Sequence, residues 1–353
     1  MTQLRFGTGT TVRDFTEYRK WLQTAEGIGF DMLTCGDSQS LWAECFTLMT
    51  FAAVHTTRPN LAITVSNPCT RHPAVAASAC ASVQQISEGR FRFGMASGDS
   101  ALRNIGVRPG SVELMERYMR AIQAMTAGET FDWEGHPVGL HWLPRPARVP
   151  VWIAAEGPRT QRMAGRYADG VVLSNCLTPE RLAVAMEHLS AGAAEVGRSV
   201  DDIEIWHMCN LIFAKSEDEG INQIRSVLAG TANHVFRFTL EGKGLPEELK
   251  DRVRGLMSEY QSRFHAHPGA NNPNEALLDK YDLRDYHARQ GTIAGPPERC
   301  IERLQEVAGY GVDNIIVSQF ISDQYQWMKT FGNERTLRLR ECFILVSAEV
   351  LLV

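Results

Sequence analysis

Four short stretches of the chain combine groups able to bind or activate a small molecule. Cys35-Gly36-Asp37-Ser38-Gln39-Ser40-Leu41-Trp42 sets a carboxylate ahead of an indole. Asp37 could orient a ligand or handle a proton, or Asp37 or Ser38 could cap the helix that follows. Trp42 could wall the ligand space or fill the core. Thr64-Val65-Ser66-Asn67-Pro68 offers hydroxyl and amide groups. It is followed by Arg71, which can meet an anion, and His72, which can titrate near neutrality; both could equally open a helix at the surface. Ser97-Gly98-Asp99-Ser100 places a carboxylate on a glycine-containing loop, with helix capping again the alternative. Ala155-Glu156-Gly157-Pro158-Arg159 joins a backbone open to close approach, a helix N-terminus with unpaired N–H donors, and a cation. That is a phosphate cradle in principle, although a plain helix start with Pro158 at its first position uses the same residues.

Other chemistries find little support. No Gly-x-Ser-x-Gly elbow and no Walker loop is present. Gly7-Thr8-Gly9-Thr10-Thr11-Val12 lacks the third glycine of a dinucleotide fingerprint. The eight cysteines form no Cys-x-x-Cys pair and no cluster with histidine, so no metal site is expected and they read as buried thiols of a cytosolic protein. His136 and His141 flank an expected hairpin, and His265 and His267 lie in a charged stretch, so surface or packing roles suit all four. A formal charge of −5 argues against nucleic acid as a partner. No run reaches the roughly 18 apolar residues of a membrane span, and Met1–Thr11 has no apolar core after a basic region. A cytoplasmic protein acting on a small organic molecule is the resulting expectation.

The positioning elements follow from periodicity. Short β-rich runs alternate with amphipathic stretches, as parallel strands joined by crossover helices require. Eight such units can be counted, with strands at Leu4–Thr8, Asp31–Cys35, Leu61–Ser66, Phe91–Ala96, Val151–Ala155, Gly170–Ser174, Ile203–Ala214 and Val312–Gln319. The helices between them include Arg13–Ile28, Leu41–His55 and Val112–Thr126, and a hairpin is expected around Glu134-Gly135. Eight units favour a closed α/β (β/α)₈ barrel, whose site lies at the C-terminal ends of its strands, where all four stretches fall. One barrel domain is expected over residues 1–335, with an insertion at about 233–290 between the seventh and eighth units, and an apolar C-terminal tail at 336–353.

In this order, Asp37-Ser38-Gln39, Val65-Ser66-Asn67-Pro68 with Thr70-Arg71-His72-Pro73, Ser97-Gly98-Asp99-Ser100, Ala154-Ala155-Glu156-Gly157-Pro158-Arg159 and Ala168-Asp169-Gly170 resemble the bacterial luciferase-like superfamily. The similarity is strongest to its methylenetetrahydromethanopterin reductase-like branch. It covers about Leu4–Ala214 and resumes at Gly291-Thr292-Ile293-Ala294-Gly295-Pro296-Pro297-Glu298. The resemblance implies a barrel, often dimeric, with a flavin or deazaflavin ring in its mouth and a non-proline cis peptide at Thr64-Val65 behind the ring. Asp37, Thr64, Val65, Ser66, Asn67 and Asp99 would face the ring or its side chain, and Ala155, Glu156, Gly157, Pro158 and Arg159 the phosphate. Two positions depart from the pattern. Ser38 stands where many deazaflavin-dependent alcohol dehydrogenases carry histidine, and Glu156 stands where relatives often carry serine before the Gly-Pro.

The function expected on these grounds is a two-component monooxygenase, in which reduced FMN supplied by a separate flavin reductase reacts with O₂ to oxygenate a small organic substrate. Asp37 and His72 are its candidates for proton handling, with Trp42 beside them. The alternatives are hydride transfer with the deazaflavin F-420, and a non-catalytic flavin-binding barrel.

Overall fold

The computed structural model describes residues 4–236, 238–261, 264, 272–318 and 323–334. Its strands, in chain order, are β1 (Arg5–Gly9), β2 (Met32–Cys35), β3 (Asn60–Ser66), β4 (Phe91–Met95), β5 (Phe131–Trp133), β6 (His136–Val138), β7 (Val151–Ala154), β8 (Gly170–Ser174), β9 (Glu204–Phe213), β10 (Thr292–Gly295) and β11 (Asn314–Ser318). Eight of them pair in parallel in the order β1, β2, β3, β4, β7, β8, β9, β11, and β11 returns to β1, so the sheet closes. The (β/α)₈ barrel is therefore the fold. β5 and β6 form the expected hairpin, with Glu134 and Gly135 both at positive φ in its turn. β10 is an element the periodicity had not separated. It runs beside Asn210–Phe213, the outer half of β9, after β8 has paired with Glu204–Met208.

Local signals set most helix boundaries. Asp14 accepts the amides of Thr16 and Glu17 at 2.7 and 3.0 Å and starts the helix Phe15–Ile28, which stops at Gly29 with φ 93°. The second helix departs from expectation. It spans Cys45–His55 rather than Leu41–His55, and its cap is Glu44, which accepts the Thr47 amide at 2.8 Å. Neither Asp37 nor Ser38 caps it. The apolar Leu41 and Trp42 suggested an earlier start, but they belong to the loop that brings the carboxylate chain into the mouth.

The barrel interior is filled by Met32, Ala62, Trp152, Val172, Trp206 and Ile316. The two indoles stack with centroids 6.2 Å apart. Gly170 makes room for them: a Cβ there would lie 2.4 Å from Trp152 Nε1 and 2.8 Å from the Glu204 carbonyl. Below this layer Arg5 donates to Glu204 at 3.0 Å and to Asn314 at 2.6 Å, which closes the N-terminal end. Chemistry is left to the other mouth. The complementary strand faces, with Leu33, Ile63, Phe93, Val171, Cys209 and Ile315, form the larger core beneath the helices.

Between β9 and β10 lie the helices Glu217–Gln223, Arg225–Phe236, Lys250–Glu259, Glu275–Lys280 and Arg284–Gly291. They bury Ile221, Leu228, Val235, Phe236, Val253, Leu256, Leu278 and Leu283 in a second core that also takes Ile212 and Ala294 from β9 and β10. That core begins before residue 233, because the helix Arg225–Phe236 supplies much of it. His265, His267, Gln319 and the tail 336–353 lie outside the described residues. Among the described residues, no helix is long and apolar enough to cross a membrane.

Candidate active site at the barrel mouth

β3 carries the cis peptide Thr64-Val65, and its register against β4 shifts between Ile63 and Ser66. Gly94 on β4 permits this, since a Cβ there would lie 2.4 Å from the Ile63 carbonyl and 3.4 Å from Val65 Cγ1. Thr64 and Val65 remain half-buried at the mouth, while Ser66 and Asn67 are buried. Asn67 Oδ1 accepts the amides of Cys69 and Thr70 at 2.9 and 3.0 Å. Its Nδ2 is buried with no partner among the described residues. A buried amide donor without an acceptor is costly, so this one suits an oxygen of a bound ligand.

Asp37 is committed elsewhere. Its side chain, 2% exposed, forms a bidentate pair with Arg71 at 2.5 and 3.3 Å and accepts Ser66 Oγ at 2.6 Å. Arg71 also donates to Glu44 at 2.9 Å and lies over the Phe46 ring. Burial opposes the Arg71 charge, but the Asp37 hydrogen bond and the neighbouring Asp37 and Glu44 charges outweigh it and hold the guanidinium above its usual range. Burial works against Glu44 too, yet the Thr47 and Phe46 amides keep its carboxyl below the usual range. Burial pushes the Cys35 and Cys45 thiols up, so neither is a nucleophile.

The loop after β2 is tied to the loop after β4. Ser38 and Ser100 hydroxyls meet at 2.9 Å, and Gln39 Nε2 donates to the Ala101 carbonyl at 2.8 Å. Ser38 therefore fixes loops at the position where histidine would offer a base. Asp99 pairs with Arg103 and meets His234 Nδ1 at 3.3 Å, so the helix Arg225–Phe236 reaches the mouth here. Tyr260 stands near the same pair, and burial first, helped by the Asp99 charge and opposed by that of Arg103, pushes its hydroxyl up to about 12.

Gly157 precedes the helix Pro158–Tyr167 and makes no side-chain cap, so its first-turn amides are available to an anion. Glu156 turns aside to accept the Ser174 hydroxyl. Ala155 is buried behind it. Arg159, expected to neutralise a phosphate, faces outward, 75% exposed and 2.6 Å from Glu113. The cation nearest the loop is instead Lys243, whose Cε lies 3.6 Å from where a Gly157 Cβ would stand. Lys243 is buried and donates to the Val235 carbonyl.

His72 is exposed and caps the helix Pro73–Ile86, its Nδ1 accepting the Ala74 amide at 3.2 Å, with its ring edge-on to Trp133. Trp42 donates from Nε1 to the Gly36 carbonyl at 3.0 Å and packs over the Asp37 loop. The mouth thus gathers Asp37, Thr64, Val65, Ser66, Asn67, Asp99 and the Gly157 turn, and directs His72 and Arg159 outward. Glu44, His234 and Lys243 went unnoticed in the sequence. Only Glu44 had a local signal, a carboxylate three positions before Thr47 in Glu44-Cys45-Phe46-Thr47.

A family model described as luciferase-like monooxygenase matches residues 1–314. A 5,10-methylenetetrahydromethanopterin reductase of Archaeoglobus fulgidus is 26% identical over 336 residues, 92% of this chain and 96% of the relative. An F-420-dependent glucose-6-phosphate dehydrogenase of Nocardia farcinica is 34% identical over 342 residues, 90% and 91% of the two chains. The fold is shared with the solved F-420-dependent tetrahydromethanopterin reductase of Methanopyrus kandleri, at TM-score 0.73 and 23% identity over 94% of this chain and 98% of that one. The chain belongs to the luciferase-like monooxygenase family and is an oxidoreductase resembling its methylenetetrahydromethanopterin reductase-like branch.

Proposed function

We propose that the protein uses the deazaflavin F-420 to transfer hydride to or from a small organic substrate. The observation that carries this reading is the 34% identity, across 90% of the chain, to an F-420-dependent dehydrogenase. It displaces FMN-dependent oxygenation as the leading expectation. The mouth fits a flat heterocycle with an anionic side chain. The β3 bulge leaves Thr64 and Val65 accessible, Asn67 Nδ2 lacks an acceptor among the described residues, and the Gly157 turn offers amides.

When bound, F-420 supplies a ring carbon that accepts or gives up a hydride. The chain's own part is positioning. Thr64 and Val65 would back the ring, Asn67 would donate to one of its oxygens, and the amides at the start of Pro158–Tyr167 would hold the phosphate. Asp37, saturated by Arg71 and Ser66, holds the β2 and β3 loops in register. The helices between β9 and β10 cover the mouth and exclude water.

Asn67→Asp tests the placement. It retains an oxygen for the Cys69 and Thr70 amides while removing the Nδ2 donor and adding a charge. Binding of F-420, followed by fluorescence, should weaken about tenfold or more with little change in unfolding temperature. Unchanged affinity would remove Asn67 from the ring site.

A further inference from the structure

Arg181 is the third residue of the helix Pro179–Glu195 and is 5% exposed. Its one hydrogen bond among the described residues is from Nε to the Asn175 carbonyl at 3.4 Å, and no carboxylate there lies within ion-pair distance of it. Two other arginines that turn inward are satisfied: Arg71 by Asp37 and Glu44, and Arg90 by Thr56 Oγ1 and the carbonyls of Ala53, Thr56 and Pro59. A buried guanidinium without a counterion is unfavourable unless an anion completes it.

The groups around it are suited to donate. Asn175, just past β8, is 5% exposed with φ 55°, and its Nδ2 is buried without a partner among the described residues. His287, on the helix Arg284–Gly291, is 3% exposed, and its Nε2 is also without a partner. Burial first, then the Arg181 charge, lowers His287 to about 3. Gly244 packs against the arginine stem, a Cβ there standing 3.6 Å from Cδ. Glu156, whose charge reaches the neighbouring Cys176 as that of Arg181 does, is engaged by Ser174.

We propose that Arg181, with Asn175 and His287, forms an anion subsite at the end of β8, one strand on from the Gly157 turn, which takes a phosphate or carboxylate carried by the substrate. The proposed hydride-transfer reading enters only in naming the substrate as the source. Anion binding itself is testable without any coenzyme.

Inorganic phosphate is titrated into the full chain by calorimetry, with thermal unfolding alongside. The wild type should bind one phosphate saturably and gain thermal stability. Arg181→Met, which keeps the stem and removes the charge, should weaken binding about tenfold or more and unfold at a higher temperature than wild type without phosphate. Asn175→Asp, which retains the residue's size and tolerates positive φ, should supply an internal counterion and block phosphate even if Arg181→Met does not fold. Absence of phosphate binding, or wild-type binding by Asn175→Asp, overturns the subsite. F-420 is then added to phosphate-saturated protein. Simultaneous binding supports the substrate assignment, whereas mutual exclusion assigns the subsite to the coenzyme's side chain and overturns it. Phosphate binding that survives a failure to bind F-420 at all would sink the hydride-transfer reading and leave the subsite standing.

Discussion

Asp37 and Arg71 show how one residue's neighbours decide its chemistry. A carboxylate with 2% of its side chain exposed is tolerable because a guanidinium and a hydroxyl saturate it. Arg71→Met should therefore cost about 3 kcal/mol in urea unfolding by leaving that charge unpaired. Adding Asp37→Asn should recover part of the loss, and additive losses would mean that the pair is not coupled. The pairing was not legible in the sequence, because the partners are 34 positions apart and meet only through the β3 bulge. His207 sits on β9, buried, with Nδ1 unpartnered, and burial lowers its pKa from 6.5 to about 4. The unfolded chain takes up this proton near pH 6.5, and the folded chain refuses it until about pH 4. Its stabilising contribution is thus full above pH 6.5 and is lost as pH falls through that window, by about 3 kcal/mol. His207→Gln should flatten the acid limb of stability between those limits, whereas an unchanged limb would show that this histidine is not refusing the proton.

At the scale of elements, glycines set where large side chains and bent strands fit. Gly170→Ala should lower stability by about 1–3 kcal/mol, because its methyl would meet Trp152 and the Glu204 carbonyl on a packed strand. Chemical denaturation measures this, and a neutral result would mean that the indole layer can yield. The strands themselves were largely legible, since buried parallel strands announce themselves as short β-branched runs between turns. β1, β2, β3 and β8 fall within a residue or two of their expected positions. Two elements were misjudged for physical reasons. β10 is four residues long and reads like a loop, and its strand character depends on pairing with the outer half of β9. The second helix begins at Cys45 because Glu44 supplies the cap, and apolar pattern alone cannot see a cap.

For the molecule as a whole, the barrel places one assembly of loops at a single mouth, and the helices between β9 and β10 complete it. The four stretches that suggested chemistry converge there. The buried cations proposed to meet an anionic ligand, Lys243 and Arg181, come from the covering segment and from a helix flank. Such residues carry no spacing signal, because their role arises from segments distant in sequence. The cis peptide was anticipated through family resemblance and the Gly-Pro turn from its own residues, while Arg159 and His72 turned outward because Glu113 and a helix amide engage them. The reaction class rests on which ring the mouth accepts. Parallel titrations of the protein with F-420 and with FMN, followed by fluorescence, test that most directly. The account predicts saturable F-420 binding at least about tenfold tighter than FMN, a difference of about 1.4 kcal/mol. Preferential binding of FMN, with F-420 excluded, would contradict it and return the protein to the oxygen-using members of its family.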